Sequence, residues 1–135
     1  MLEVGSGPGF FTIPAAKIVG EAGYVYAVDI NGAAVKHVNR KIMREGLKNV
    51  EVKLADASET GLPKESVDVA FLFSVIHSLR NLNKVLSEMH RVLKTEGILS
   101  VHSALPEKKV LEAVTSNGLF NYREATKNLV IFTRN

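Results

Sequence analysis

The chain opens on the stretch that most restricts its fold. Met1-Leu2-Glu3-Val4-Gly5-Ser6-Gly7-Pro8-Gly9 is a short apolar strand running straight into three glycines at alternate positions. A helical pattern begins around residues 10–13, and Pro14 fits it only in the first turn, where the missing N–H would lack a partner anyway. A strand, a glycine turn and a helix in that order put bare backbone N–H groups and a helix N-terminus at the carboxyl end of a strand. Such an edge suits a polar or anionic ligand with a flat, adenosine-like body. Glycine serves there by reaching positive φ and by lacking a Cβ that would hold the ligand away.

The spacing narrows the ligand. The dinucleotide fingerprint is G-x-G-x-x-G, but here the third glycine comes one residue early, at Gly9, and Phe10 stands where that pattern takes Gly or Ala. Residues 24–28 read as a second strand, β-branched and aromatic, closed by Asp29. An acid about 20 residues past the glycine turn is placed for both ribose hydroxyls of an adenosine. Its two oxygens suit two neighbouring O–H donors. The other reading is a helix N-cap, a role that Asn31 also fits. Ile30 would then offer an apolar face to the base.

The rest of the chain alternates strand-like and helix-like stretches, which argues a mostly parallel sheet with helices on its faces. Ala34, Val38 and Ile42 form an i, i+4 row in a helix over 32–45, stopped by Gly46. Residues 50–55 alternate as a third strand, followed by Asp56 and Ala57. Residues 58–66 read as a loop. The fourth strand, 67–73, is the most apolar and hence central, with Asp68 structural at its far end. Leu82, Val85, Leu86, Met89, Val92 and Leu93 keep a helical stripe with Met89 inward and His90 pointing away. Residues 94–97 turn into a fifth strand, 98–102. A helix over 106–116 and a strand pair over 119–125 and 128–134 close the chain.

Glu3-x-Gly5-x-Gly7-x-Gly9, Asp29, Asp56 and the passage from Phe73 to Gly97, with Glu88-Met89-His90-Arg91-Val92-Leu93-Lys94 inside it, occur in an order that resembles the class I S-adenosylmethionine-dependent methyltransferases. The nearest subgroup is the ubiquinone/menaquinone-biosynthesis type acting on small molecules. The resemblance implies an α/β, Rossmann-like methyltransferase fold: a seven-stranded, mostly parallel sheet in the order 3-2-1-4-5-7-6, the last strand antiparallel, with helices on both faces. It implies S-adenosyl-L-methionine as cofactor and S-adenosyl-L-homocysteine as product. Glu3 would approach the methionine amino group, and Gly5, Ser6, Gly7 and Gly9 would underlie the methionine and ribose. Asp29 and Ile30 would take ribose and adenine, Asp56 with Ala57 the adenine amine, and Phe73 would complete the cofactor site. Ser74, His77 and His102 would face the methyl acceptor. His77 is the candidate catalytic base; its alternative is a partly buried histidine bonded to backbone.

The function this implies is transfer of a methyl group to O, N or C of a small molecule by in-line displacement. The alternative is a cofactor-binding module or subunit without independent activity. A nicotinamide-dependent oxidoreductase is a third reading, against which the glycine spacing and Phe10 argue. The Asp/Asn/Ser-Pro-Pro-aromatic motif of methyltransferases acting on base amines is absent. Members of the family carry helices before the first strand, whereas this chain starts inside it. The expectation is a domain truncated or minimal at its N-terminus, with the face near Leu2 and Val4 poorly covered and shielded by a homodimer or another partner.

Composition removes further classes. With 135 residues, 46% hydrophobic and 23% charged, the chain reads as one globular domain, 1–135. It has no cysteine, so no disulfide, thiolate zinc site or cysteine nucleophile enters the chemistry. No carboxylate pair converges in the pattern, and no metal is expected. The net charge of +3 is spread over scattered Lys and Arg, which reads as solvated helix faces and argues against a nucleic-acid partner. No apolar run approaches the roughly 20 residues of a membrane span, and no signal-peptide pattern opens the chain; the expected compartment is the cytoplasm.

Overall fold

The computed structural model describes residues 1–135. Strands β1 (Leu2–Val4), β2 (Val25–Asp29), β3 (Val50–Leu54), β4 (Val67–Phe73), β5 (Leu93–His102), β6 (Phe120–Thr126) and β7 (Leu129–Arg134) form one sheet in the order β3-β2-β1-β4-β5-β7-β6. The β1/β2, β2/β3 and β4/β5 pairs are parallel, while β7 runs antiparallel to both β5 and β6. This is the order that the resemblance implies. Helices α1 (Thr12–Val19), α2 (Gly32–Arg44), α3 (Leu82–Val92) and α4 (Glu107–Thr115) accompany the strands. None is long and apolar enough to cross a membrane. The chain divides into two compact units, Met1–Ala57 and Ser58–Asn135.

In the first unit, Ile13 and Ala16 of α1 and Val38 and Ile42 of α2 pack with Val25 and Val50 of the strands into one apolar cluster. The i, i+4 row of α2 is therefore its buried face. Asn31 caps α2, its side-chain oxygen accepting from the N–H groups of Ala33 (3.0 Å) and Ala34 (3.3 Å). The Asn49 amide donates to the carbonyls of Ala16 and Gly20, both at 2.7 Å, and so satisfies the end of α1. One expectation fails here. Leu2 and Val4 are not poorly covered: both side chains, which project from a face of the sheet, are fully buried. Exposed apolar side chains lie elsewhere and are scattered: Phe10, Ile18, Ile30, Met43 and Leu54 stand on separate elements.

In the second unit, Val85, Leu86, Met89 and Val92 form the buried stripe of α3. Glu88 is buried beside them. Its carboxylate accepts from the N–H (2.9 Å) and hydroxyl (2.6 Å) of Thr60 and from Arg91, whose guanidinium also reaches the Leu62 carbonyl at 2.7 Å. This clamp ties the 58–66 loop to α3. The Arg91 hydrogen bond outweighs the cost of burial, and Thr60 adds to it, so Glu88 is driven down to about 2. His90 does not simply point away into solvent: it is half-buried, with Nε2 2.8 Å from the Asn135 carbonyl oxygen and its ring edge-on to Phe120. Asp68 is structural as expected, paired with Lys94 at 2.8 Å.

The expected turn at 94–97 lies within β5. Val67 pairs with Leu93 and Val69 with Ile98, so Lys94, Thr95, Glu96 and Gly97 loop out of register. Gly97 is required by close approach: a Cβ there would stand 2.9 Å from the Lys94 carbonyl oxygen and 3.2 Å from that of Asp68. Both neighbours are backbone and yield little. Replacing Gly97 with Ala is therefore expected to destabilise the fold by about 1–3 kcal/mol, read as a lower urea midpoint at unchanged slope; an unchanged midpoint would show that the excursion has slack.

Candidate functional site

The glycine turn is held from β2 and α2. The N–H groups of Gly5 and Ser6 both donate to the Val28 carbonyl, at 2.8 and 3.2 Å, and Gly9 N–H returns to the Ser6 carbonyl at 3.0 Å. Gly9 adopts φ +87°, and a Cβ there would lie 3.1 and 3.3 Å from the two γ-carbons of Val38, so both conformation and space demand glycine. Lys41, one turn further along α2, donates to the Pro8 carbonyl at 2.8 Å and lies 5.7 Å from the centre of the Phe10 ring. The sequence pattern shows Lys41 only as one of several scattered cations.

Asp29 joins the pieces. One carboxylate oxygen accepts the Gly7 N–H at 2.9 Å, the other the Asn31 N–H at 2.8 Å, and its main-chain carbonyl accepts the Ala55 N–H at 3.1 Å. The cap of α2 is Asn31, so the N-cap reading of Asp29 does not hold. Each Asp29 oxygen spends one acceptor direction on backbone and keeps another for a further donor. Ile30 follows at 69% exposure. Asp56, exposed, comes directly after Ala55, and Ala57 beyond it is buried. Gly5 to Gly9, Asp29, Ile30 and Asp56 thus share one edge, at the carboxyl ends of β1, β2 and β3. Within the turn, the Ser6 hydroxyl is buried with no partner, a loss of about 1–3 kcal/mol unless another polar group meets it.

Glu3 lies beneath this edge and is only 2% exposed. The Thr12 hydroxyl, at the start of α1, donates to its Oε2. Burial pushes Glu3 up to about 7; the Thr12 hydrogen bond opposes that rise and the negative charge of Asp29 adds to it. Sequence reasoning singles out Glu3 but not Thr12, which pairs with it only once α1 folds back on the strand.

The acceptor-side candidates lie in the second unit. Ser74 carries φ +60°, rare for a residue with a side chain. Its N–H donates to the His102 carbonyl at 2.8 Å, its Oγ stands 3.5 Å from His102 Nδ1, and Phe73 meets the His102 ring edge-on at 5.9 Å between centres. Phe73, Ser74 and His102 therefore form one group. His77 sits apart on the short 3-10 turn Ile76–Ser78, exposed and without a hydrogen bond. The backbone-bonded alternative for it is not found; Ser78 makes those bonds, to the Val75 carbonyl. Nowhere do three or more His, Asp or Glu side chains gather as a metal cage.

The strand order and the glycine turn define a Rossmann-like α/β fold of the methyltransferase kind. A family model described as a methyltransferase domain matches residues 1–130. The ubiquinone/menaquinone biosynthesis C-methyltransferase UbiE of Vibrio vulnificus is 32% identical over 102 residues, 75% of this chain and 39% of that protein. The demethylmenaquinone methyltransferase of Geobacillus stearothermophilus is 33% identical over 97 residues, 72% of this chain and 42% of that protein. A crystal structure of a SAM-dependent methyltransferase from Aquifex aeolicus superposes with a TM-score of 0.90 at 27% identity, over 98% of this chain and 79% of that one. The chain belongs to the class I S-adenosylmethionine-dependent methyltransferases. It spans about two fifths of the length of the curated relatives it matches.

Because Glu3 binds its proton more tightly folded than unfolded, its contribution to stability is complete below pH 4.5, the ordinary value, and is lost as pH rises through about 7. Glu3→Gln keeps an acceptor for Thr12 and removes the titration. The wild type is expected to lose up to about 3 kcal/mol relative to that variant between those two limits, measured by urea unfolding across the range. Parallel stability curves would contradict the burial of an ionisable Glu3.

Proposed function

We propose that this chain binds S-adenosylmethionine at the glycine turn and Asp29 and passes its methyl group to a small molecule by in-line displacement. The observation that carries the reading is the 2.9 Å bond from Gly7 N–H to Asp29, which brings the two hallmarks of the cofactor site into one structure. In this reading Asp29 takes the ribose hydroxyls with its remaining acceptor directions. Ile30 lies against the adenine, and Asp56 with Ala57 meets its exocyclic amine. Glu3 faces the amino group of the methionine end, and Gly5, Ser6, Gly7 and Gly9 allow that end to approach the backbone. The cofactor supplies an electrophilic sulfonium methyl, so the protein mainly aligns the acceptor and excludes water.

The acceptor is a phenol- or enol-type molecule methylated at carbon or oxygen, or an amine methylated at nitrogen. One relative is named a C-methyltransferase of ubiquinone/menaquinone biosynthesis and another a demethylmenaquinone methyltransferase, and this favours carbon. As the new bond forms and the sulfur–carbon bond breaks, the acceptor's proton passes to a histidine. His77 has an unengaged imidazole for this, and His102 is oriented by Ser74. The second reading is a cofactor-binding module or subunit without independent catalytic activity.

Calorimetry separates these. S-adenosylhomocysteine is expected to bind and NAD not to bind. Asp29→Ala is expected to weaken S-adenosylhomocysteine by about 100-fold or more, as the loss of two hydrogen bonds to a charged acceptor implies, with the melting temperature recorded alongside. Tight NAD binding, or unchanged affinity in the variant, would overturn the reading. Binding without turnover across quinol, phenol and amine acceptors would select the module.

A further inference from the structure

Glu3 is a buried acid with half of its hydrogen-bonding capacity idle. Oε2 is taken by Thr12, Oε1 has no protein partner, and no cation of the chain pairs with the group. The charges around it offer no relief. Asp29 on β2 acts on it unfavourably, and Lys17, the cation of α1, is paired with Glu45. A carboxylate so placed is costly unless a cation arrives from outside. Thr12 is the first residue of α1, one place past the uncapped N-cap position at Phe11, and it is completely buried.

We propose that Thr12 is a positioning residue for the amino-acid end of the cofactor: its hydroxyl fixes one oxygen of Glu3, leaving the other for a cationic amino group. The proposal rests on the cofactor reading above. The balance is simple. The free protein holds Glu3 partly as the neutral acid, the ammonium group binds the carboxylate form, and the proton leaves to solvent. Thr12 acts by favouring the ionised state against burial, so it lowers the pH at which the site becomes competent. No bond is made or broken, and Thr12 itself need not touch the ligand.

The test uses S-adenosylhomocysteine and the whole chain. Calorimetry in buffers of different ionisation enthalpy should show release of about half a proton near pH 7. Thr12→Val should raise the Glu3 carboxyl midpoint of the free protein, followed by carbon-13 NMR, and weaken binding roughly three- to tenfold near neutral pH. The gap should close by about pH 8.5, where Glu3 is ionised in both proteins. Thr12→Ser should restore both readouts, and Thr12→Ala replaces the valine variant if that chain does not fold. An unmoved midpoint with wild-type affinity overturns the proposal, as does an affinity loss of equal size at every pH. Failure of the wild type to bind S-adenosylhomocysteine, with the midpoint still moving in Thr12→Val, sinks the cofactor reading and the proposal with it. Wild-type binding with no effect of Thr12 sinks the proposal alone.

Discussion

A single carboxylate organises the strand tips of the first unit. Asp29 accepts the N–H of Gly7 from the turn after β1 and that of Asn31 at the head of α2, while its main chain accepts from Ala55 after β3. Hydrogen bonds to a charged acceptor are each worth about 1.5–3 kcal/mol. Two chain segments therefore converge on one carboxylate and a third on the main chain of the same residue, and the glycine turn is held by the acid beside it. The same acid has acceptor capacity left over. In this arrangement the element that builds the edge is also the element that a ligand would meet.

The charge at that edge has a sign, and the sign discriminates between ligands. The charge of Asp29 makes ionisation of Glu3 less favourable, and neither acid is paired with a cation. A glycine turn with only backbone N–H groups attracts phosphate. Adding a buried acid two residues before the first glycine makes the same turn unwelcoming to a pyrophosphate and receptive to a sulfonium or ammonium group. That preference also gives a reason for Glu3 to be tolerated in a strand whose three residues are all buried.

Much of the fold was legible because the determining signals are local. The alternation of 50–55, the apolar run Val67–Phe73 and the α3 stripe each fix an element by periodicity. The site residues on strand tips followed from those elements. Strand order did not: the antiparallel β7 between β5 and β6 came from the resemblance, since periodicity carries no information about neighbours. Thr12 and Lys41 were invisible because each meets its partner, Glu3 or Pro8, only through the packing of a helix on the turn. Serine gives no sign of the φ +60° that Ser74 adopts where the β4 ladder ends. The expectation about Leu2 and Val4 failed because it reasoned from what the family adds around the strand, whereas both side chains are buried.

The central claim, that one adenosyl ligand lies on the glycine turn and Asp29, is tested most directly by backbone amide NMR during titration with S-adenosylhomocysteine. The account expects the largest shifts at Gly5, Ser6, Gly7, Gly9 and Asn31, with Ala55 and Asp56 following, and saturation of all of them together. Saturable shifts that leave Gly7 and Asn31 unmoved while others change would place the ligand elsewhere and contradict it.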